Sequence, residues 1–525
     1  MAAHDETEKD KISRESSSIA GFYAGRSILI TGGSGFLGKV LIEKLLRSCP
    51  DVREIYLLMR PKKGLSIEER LKKEFQSPLF DTLRKERPSN FSKLIPVLGD
   101  TSVDGLGISA TDRHTITSRV SVIFHVAANV RFEDNLKKDI LSNCRSTRDI
   151  CILAEGMENL VALVHISSAY AQADKPVVDE IVYPPLLDWR NAIQMAESLD
   201  EHTIRTFTSK YVGSMPNTYT FSKRLAEQVI TDYSQHLPSV IFRPSIVVST
   251  IDEPVPGWVD NFNGPVGMMI LGGKGALRVA RGKSDIANDY LPVDVAIKAT
   301  LTAAWKRGRV TVTKDPEVHV YNCTSYQICR VLQQQMIATG LAINEVTPLE
   351  GIIWYPRTTL TSSSIYHYLL TLVLHLIPAL LIDGFLKLKG RQPMLLKIHK
   401  QVYYATQKLA HFTHNEWAFR NTNMKNILTN DVPMPEQKIF GFDYSNIDWT
   451  EYFETALLGA KRYLLHEDLS RLDKSKQHLN RMRWIERIVH GCCIVLLLWI
   501  FGKVGIYSYI FTPLASLTNG SIFNE

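Results

Sequence analysis

The sequence predicts an α/β fold, a doubly wound parallel sheet followed by a helical C-terminal unit and a transmembrane segment, and three observations carry that prediction. An apolar strand, Ser27-Ile28-Leu29-Ile30-Thr31, runs into glycines spaced three apart and then into an amphipathic helix. From about residue 25 to 250, near-continuous apolar runs alternate with helical periodicity, as buried parallel strands between covering helices require. Beyond about residue 355 the alternation gives way to helical periodicity, and an apolar run follows from Ile488 to about Phe511.

The glycine turn positions the first ligand. Gly32 permits a tight exit from the strand, Gly35 lets backbone N–H groups approach a pyrophosphate, and Gly38 lets the next helix pack closely on the sheet. Val40, Leu41, Leu45 and Leu46 supply that helix's buried face, which gives the turn the strand–turn–helix context of a dinucleotide site. Further strands are expected at 54–59, 94–98, 120–126, 160–166 and 239–243, with a ligand crevice beyond their carboxyl ends. Residues 250–354 are less regular apart from a helical stretch near 293–306. They read as a substrate-side appendage to the same unit, which spans 25–354.

Composition narrows the class. A chain of 525 residues, 45% hydrophobic and 22% charged, is long enough for two or three globular units. The net charge of +7 is modest and its Lys and Arg residues are spread among acids, which argues against a nucleic-acid partner and leaves room for anionic lipid or a phosphorylated substrate. Seven scattered cysteines without metal-ligand spacing fit a reducing compartment. Residues 1–24 begin charged and polar, have no apolar signal core, and are expected to form a disordered lead-in tail.

Residues 355–465 are expected to form the helical unit. Within it, Ile365 to Ile382 is mostly apolar but interrupted by His367, His375 and Pro378, which leaves open a buried helix or one lying on a membrane. A basic linker, 466–487, carries Arg471, Lys474, Lys476, Arg481, Arg483 and Arg487. The run 488–511 would extend about 36 Å as a helix, against a hydrocarbon core of about 30 Å. Only Lys503 balances the preceding cations, so the charge bias keeps the preceding chain cytosolic and makes 488–511 a single-pass anchor with a tail at 512–525. The alternative is a buried terminal helix in a soluble protein.

Three clusters point to chemistry. At the end of the second strand, where an Asp or Glu would bind the ribose of NAD, the chain has Arg60-Pro61-Lys62-Lys63, which favours the 2′-phosphate of NADPH. Tyr219 and Lys223 stand one helical turn apart, so a cation shares a face with a phenol and is expected to lower its pKa, making Tyr219 a proton donor to a carbonyl oxygen. Ser168, just past the 160–166 strand, brings a hydroxyl to the same crevice to stabilise developing oxyanion charge. His411, His414 and Glu416 lack a further ligand at matching spacing, and no metal is expected.

These residues, with Asp100, Ala127 to Phe132 and Asn143, resemble the extended short-chain dehydrogenase/reductases. Leu57 to Gly64, Val130-Arg131-Phe132, Glu253 to Pro265, Pro292-Val293-Asp294, Tyr321 to Ser325 and Asn415 to Phe419 are similar to the alcohol-forming fatty acyl-CoA reductases, over about residues 25 to 465. The resemblance implies that Gly32, Gly35, Gly38 and Arg60 bind NADPH, with Asp100 near the adenine and Lys223 on the nicotinamide ribose. It further implies that Ser168 and Tyr219 flank the carbonyl of a long-chain acyl-CoA thioester, reduced twice to a fatty alcohol with release of CoA. The family commonly has Thr where this chain has Ser168, which keeps the hydroxyl but loses β-branched stiffness. Endoplasmic reticulum and peroxisome are the two membranes considered, membrane lipid being the implied partner. Two other readings stay open: a reductase of a single carbonyl, as in hydroxysteroid dehydrogenases, and an inactive lipid-binding scaffold.

Overall fold

A computed structural model describes residues 18–503 except 63, 133–134, 313–314 and 329. The expectations for most of the lead-in tail, for Lys63, for the end of the anchor and for the C-terminal tail therefore lie outside the described residues.

Seven parallel strands form one sheet: β1 (Ser27–Thr31), β2 (Glu54–Met59), β3 (Leu94–Leu98), β4 (Val120–His125), β5 (Ala162–Ile166), β6 (Ser239–Pro244) and β7 (His319–Cys323). Their order is β3-β2-β1-β4-β5-β6-β7, so the chain winds outward from β1 in both directions. The register aligns the carboxyl ends: Thr31 lies opposite both Leu58 and His125, His125 opposite His165, and Ile166 opposite Phe242. That alignment puts the glycine turn, Arg60, the Val126–Phe132 loop and Ser168 along one edge.

Alternation within the strands divides the core. Ile28 and Ile30 of β1 face a cluster with α1 (Phe36–Ser48), while Leu29 faces the opposite cluster, with α2 (Ser146–Glu155) and α3 (Thr218–Tyr233). α4 (Val293–Gly308) covers the first face through Leu301 and Trp305, both fully buried. The six expected strands form within two residues of their expected bounds. The seventh, β7, falls in the stretch read as irregular, because its His-Val-Tyr-Asn-Cys sequence is not an apolar run.

Two boundaries are corrected. Ile19–Tyr23, assigned to the lead-in tail, form a helix with Ile19, Phe22 and Tyr23 buried. Tyr23 Oη donates to Leu301 O at 2.7 Å, and Glu436 accepts from the amides of Ile19 and Ala20, so this segment is stitched to both units. The basic stretch 466–487 is largely the first half of one helix continuous with the apolar run, as α8 (below) shows.

The C-terminal unit is interlocked with the sheet unit. It contains α5 (Ser364–Leu388, with a π-turn at Leu372–Leu376), α6 (Leu395–His414), α7 (Trp449–Gly459) and α8 (Leu472–Lys503). Short parallel pairs join Thr359–Thr361 to Val279–Arg281 and Ala418–Phe419 to Val177–Val178. Tyr452, Phe453 and Leu457 of α7 complete a core with Val248, Val259 and Met269.

One buried ion pair underlies the carboxyl edge of the sheet. Arg243 on β6 reaches Glu227 on α3 through Nε and Nη2, each at 2.8 Å, and donates to the carbonyls of Asp179 and Ile181 at 3.0 Å. Glu227 also accepts from Ser167 Oγ at 2.6 Å and Gln172 Nε2 at 2.9 Å. Removing one partner leaves a charge buried without its counter-charge, so Glu227→Ala should lower stability by about 3–5 kcal/mol. Urea denaturation checks this, and a loss below about 1 kcal/mol would show the network to be dispensable.

Candidate active site

The turn after β1 is lined by backbone because it has no room for side chains. Gly32 has φ +73°, and a Cβ there would stand 2.7 Å from Ala127 N; one at Gly38 would stand 2.3 Å from Gly32 O. Gly35 is the N-cap of α1 and contributes no side-chain cap, which leaves the first amides of that helix to a phosphate. The turn is held from below: Thr31 Oγ1 shares a hydrogen bond with His125 Nδ1 at 2.7 Å and accepts from Ala127 N at 3.2 Å. His125 Nε2 lies 3.2 Å from Thr147 Oγ1. Burial, with the Lys223 charge adding to it, pushes the His125 pKa down to about 3, so the ring is a neutral brace.

Arg60 and Asp100, on neighbouring loops after β2 and β3, pair at 2.9 Å. They line a cavity of about 560 Å³ with Pro61, Lys62, Leu98 and Gly99. Burial alone would raise the Asp100 pKa, but the amide and hydroxyl of Ser102 and the Arg60 guanidinium outweigh it and hold the carboxyl below its usual range. The Arg60 side chain is 59% exposed, leaving its other N–H donors to a ligand. Arg70 fixes the loop by donating to the carbonyl of Arg60 and, at 3.1 Å, to Ser34 Oγ. Backbone-lined turn, open helix N-terminus and Arg60/Asp100 cavity together fit a dinucleotide.

Ser168, Tyr219 and Lys223 meet beyond β5. Asn217 caps α3 by accepting from Thr220 N at 2.9 Å, which fixes the start of the helix that carries the Tyr and Lys one turn apart. Ser168 is buried, and its Oγ accepts from Tyr170 N at 3.2 Å. Burial pushes the Tyr219 pKa up to about 12, against a hydrogen bond with Ser168 and with the help of the Asp139 charge. This reverses the expectation that Lys223 would lower it. The buried ammonium of Lys223 is turned to Ile166 O at 2.6 Å, and burial outweighs the Glu227 charge to bring its own pKa down to about 8. Tyr219 is thus held as a neutral phenol.

Asn143 sits in a π-turn, Ile140–Arg145, and ties three elements together. Its Oδ1 accepts from Asn129 N at 2.7 Å and its Nδ2 donates to Ser222 Oγ at 2.9 Å. Asp139 accepts from Asn129 Nδ2 and Thr218 Oγ1, fixing the start of α3 from the other side.

An aromatic wall beside Tyr219 was not foreseen. Phe132 lies 5.8 Å from the Tyr219 ring and stacks on Phe412 of α6 at 5.7 Å. Phe412 meets the edge of Tyr170 at 5.4 Å, and Tyr170 packs against Trp417 at 5.3 Å. Lys408 donates to the Phe132 carbonyl, joining α6 to the loop after β4. Phe132 and Trp417 belong to stretches that only the family resemblance had marked; no local pattern shows that they converge. His411, His414 and Glu416 are engaged separately, against Trp417, Ala410 O and Arg330.

Two family models, both described as male sterility protein, match residues 30–300 and 374–467. Fatty acyl-CoA reductase 1 of Mus musculus is 39% identical over 483 residues, 92% of this chain and 93% of that protein. The Xenopus laevis protein of the same name is 38% identical with the same coverage. Fatty acyl-CoA reductase wat of Drosophila melanogaster is 35% identical, covering 93% of each chain. Among solved structures, the terminal R domain from the myxalamid PKS-NRPS pathway aligns with TM-score 0.52 at 18% identity, over 87% of this chain and 99% of that one. The reductase domain of a nonribosomal peptide synthetase from Mycobacterium tuberculosis aligns at 0.52 and 15% identity, over 88% and 96%. Both share the fold.

The Lys223 shift has a stability consequence with a definite sign. Its pKa is about 8 in the fold and near the ordinary 10.5 when unfolded, so between those values the unfolded chain holds a proton that the folded chain has released. Stability therefore rises with pH across that window. Relative to Lys223→Met, the wild type should gain up to about 3 kcal/mol between pH 8 and 10.5. Urea midpoints of both proteins measure the gap, and a constant gap would refute the shift.

Proposed function

Because the chain belongs to the fatty acyl-CoA reductase family, whose male sterility models match both of its units, we propose that it reduces long-chain acyl-CoA to fatty alcohol with release of CoA, in two successive hydride transfers from NADPH. The observation that carries this reading is the meeting of Ser168, Tyr219 and Lys223 at the carboxyl edge of the sheet, beside the glycine turn. The reductase fold and its nicotinamide site are family properties; the choice of NADPH rests on Arg60.

NADPH, when bound, supplies hydride to the carbonyl carbon, of the thioester first and of the aldehyde second. Tyr219, protonated at neutral pH, gives its phenolic proton to the carbonyl oxygen, and Ser168 Oγ donates a hydrogen bond to the same oxygen as charge develops there. The hydroxyl proton of the resulting hemithioacetal returns to the Tyr219 oxygen as the carbon–sulfur bond breaks, which frees CoA as its thiolate and leaves an aldehyde. The same two hydroxyls then serve the second reduction. Lys223 holds the end of β5 through Ile166 O.

Membrane attachment belongs to the same proposal. The described part of the apolar run, Ile488 to Ile500, is helical, and Ile488, Val495 and Trp499 are all more than 60% exposed, as a lipid-facing helix would be. Anchored through 488–511 to the endoplasmic reticulum or a peroxisome, the catalytic unit would face the cytosol, where acyl-CoA reaches it.

Tyr219→Phe should lower kcat by about 10²–10⁴-fold with little change in the melting temperature. Wild-type protein should oxidise two NADPH for each CoA released; one NADPH with aldehyde as the end product would refute the two-step reading. Arg60→Asp should raise KM for NADPH by about 10–100-fold and spare NADH, since charge-assisted bonds to the 2′-phosphate are lost. Equal losses for both coenzymes would refute the assignment of Arg60.

A further inference from the structure

α5 is long and apolar enough to cross a membrane, yet one side of it is fixed to protein along its whole length. His367 stacks on Tyr403 of α6 with ring centroids 5.6 Å apart. His375 Nε2 accepts the Arg278 amide at 3.0 Å. Asp383, near the end, accepts the amides of Met394, Leu395 and Leu396 at 2.8–3.1 Å and so caps α6. A helix crossing a bilayer would have to carry these polar attachments, and the protein surface they hold, through the hydrocarbon.

The other side of α5 has no protein cover among the described residues. Ile365, Leu369, Val373, Leu380, Leu381 and Leu388 are 51–88% exposed, far more contiguous apolar surface than a helix leaves to water. The sequence that follows is strongly cationic. Between residues 384 and 415 there are six Lys or Arg, Lys387, Lys389, Arg391, Lys397, Lys400 and Lys408, and no Asp or Glu. An apolar face bordered by cations matches the acyl layer and anionic headgroups of a bilayer surface.

Arg278 ties this face to the anchor helix. Its amide binds His375 at the middle of α5, and its guanidinium reaches Glu486 of α8 at 3.3 Å, two residues before the apolar run begins. α8 therefore leaves the folded body next to the middle of α5, and both present apolar surface from that side.

We propose that α5 lies in the plane of the membrane, its outer face sunk into the leaflet that faces the catalytic unit, as a second lipid contact distinct from the anchor. α6 runs antiparallel along α5: His399 packs on His375 at 4.9 Å, Gln407 Nε2 lies 3.3 Å from His367 Nδ1, and His414 Nε2 lies 3.4 Å from the carbonyl of Ser362, just before α5 begins. Phe412, two residues before His414, stacks on Phe132 beside Tyr219, so a lipid-dissolved acyl chain reaches the active site from the start of α5.

The test uses full-length protein in sealed microsomes, with Cys329, Cys492 and Cys493 changed to serine. A membrane-impermeant maleimide is added from the side of the catalytic unit. Ser362→Cys and Gln392→Cys, which flank α5, should both react without detergent; reaction of only one means that α5 spans the bilayer and overturns the proposal. Leu381→Cys should react at least about tenfold more slowly in membranes than in detergent. Equal rates would show that the face meets water and would equally overturn it, while leaving the acyl-CoA reaction untouched.

Discussion

The carboxyl edge of the sheet depends on the Arg243–Glu227 pair. Both side chains are withdrawn from solvent, and neither charge could be held there alone; the bidentate contact and four further hydrogen bonds make the burial tolerable. Glu227 lies one turn beyond Lys223 on α3 and binds Ser167, the neighbour of Ser168. Arg243 lies opposite Asn322 of β7, whose side chain donates to Val178 O and Arg420 O. The same seam continues in Glu180, which accepts from the amides of Asn322, Asn423 and Met424 and is pushed up to about 7 by burial against those bonds. One buried polar line thus positions Ser168, orients α3 and seats the C-terminal unit.

α3 shows what that support makes possible. Phe221, Leu225 and Val229 pack into the core, while the same helix holds a buried ammonium and a partly buried phenol. Each is unfavourable for its charged form, which is why Lys223 is lowered and Tyr219 raised. A chain selected only for stability would put apolar residues there. Retaining them costs stability, and the cost is carried by the well-packed helix and by the Glu227 network beneath it.

The sheet was legible because buried parallel strands are written as apolar runs, and β1 to β6 obey that rule. β7 did not, since an edge strand that supplies Asn322 to a polar seam cannot be uniformly apolar. The positions of Gly32, Gly38, Arg60, Ser168, Tyr219 and Lys223 along the edge were legible because each occupies a fixed place relative to a strand end or a helix turn. Phe132, Tyr170, Phe412 and Trp417 were not, because their convergence is set by how α6 docks on the loop after β4. The sign of the Tyr219 shift was misread for a related reason. Spacing shows that two side chains share a helix face, but burial and the direction of the ammonium decide which effect wins.

The arrangement also bears on how one centre could serve two reductions. In the proposed two-step reaction, oxidised nicotinamide leaves and reduced nicotinamide enters between the reductions while the aldehyde stays. The Arg60/Asp100 cavity opens at the β2 and β3 ends of the edge, whereas the Phe132–Phe412 stack stands at the β4 and β5 ends, beside Tyr219. The polar cavity and the apolar stack thus lie on either side of β1 along the same edge. The Phe132 and Phe412 rings carry no hydrogen-bond donor, and Phe412 comes from the unit that also presents α5. The sheet unit alone would have the Ser168 and Tyr219 hydroxyls and the glycine turn but only Phe132 of that stack, so the C-terminal unit completes the apolar side of the site.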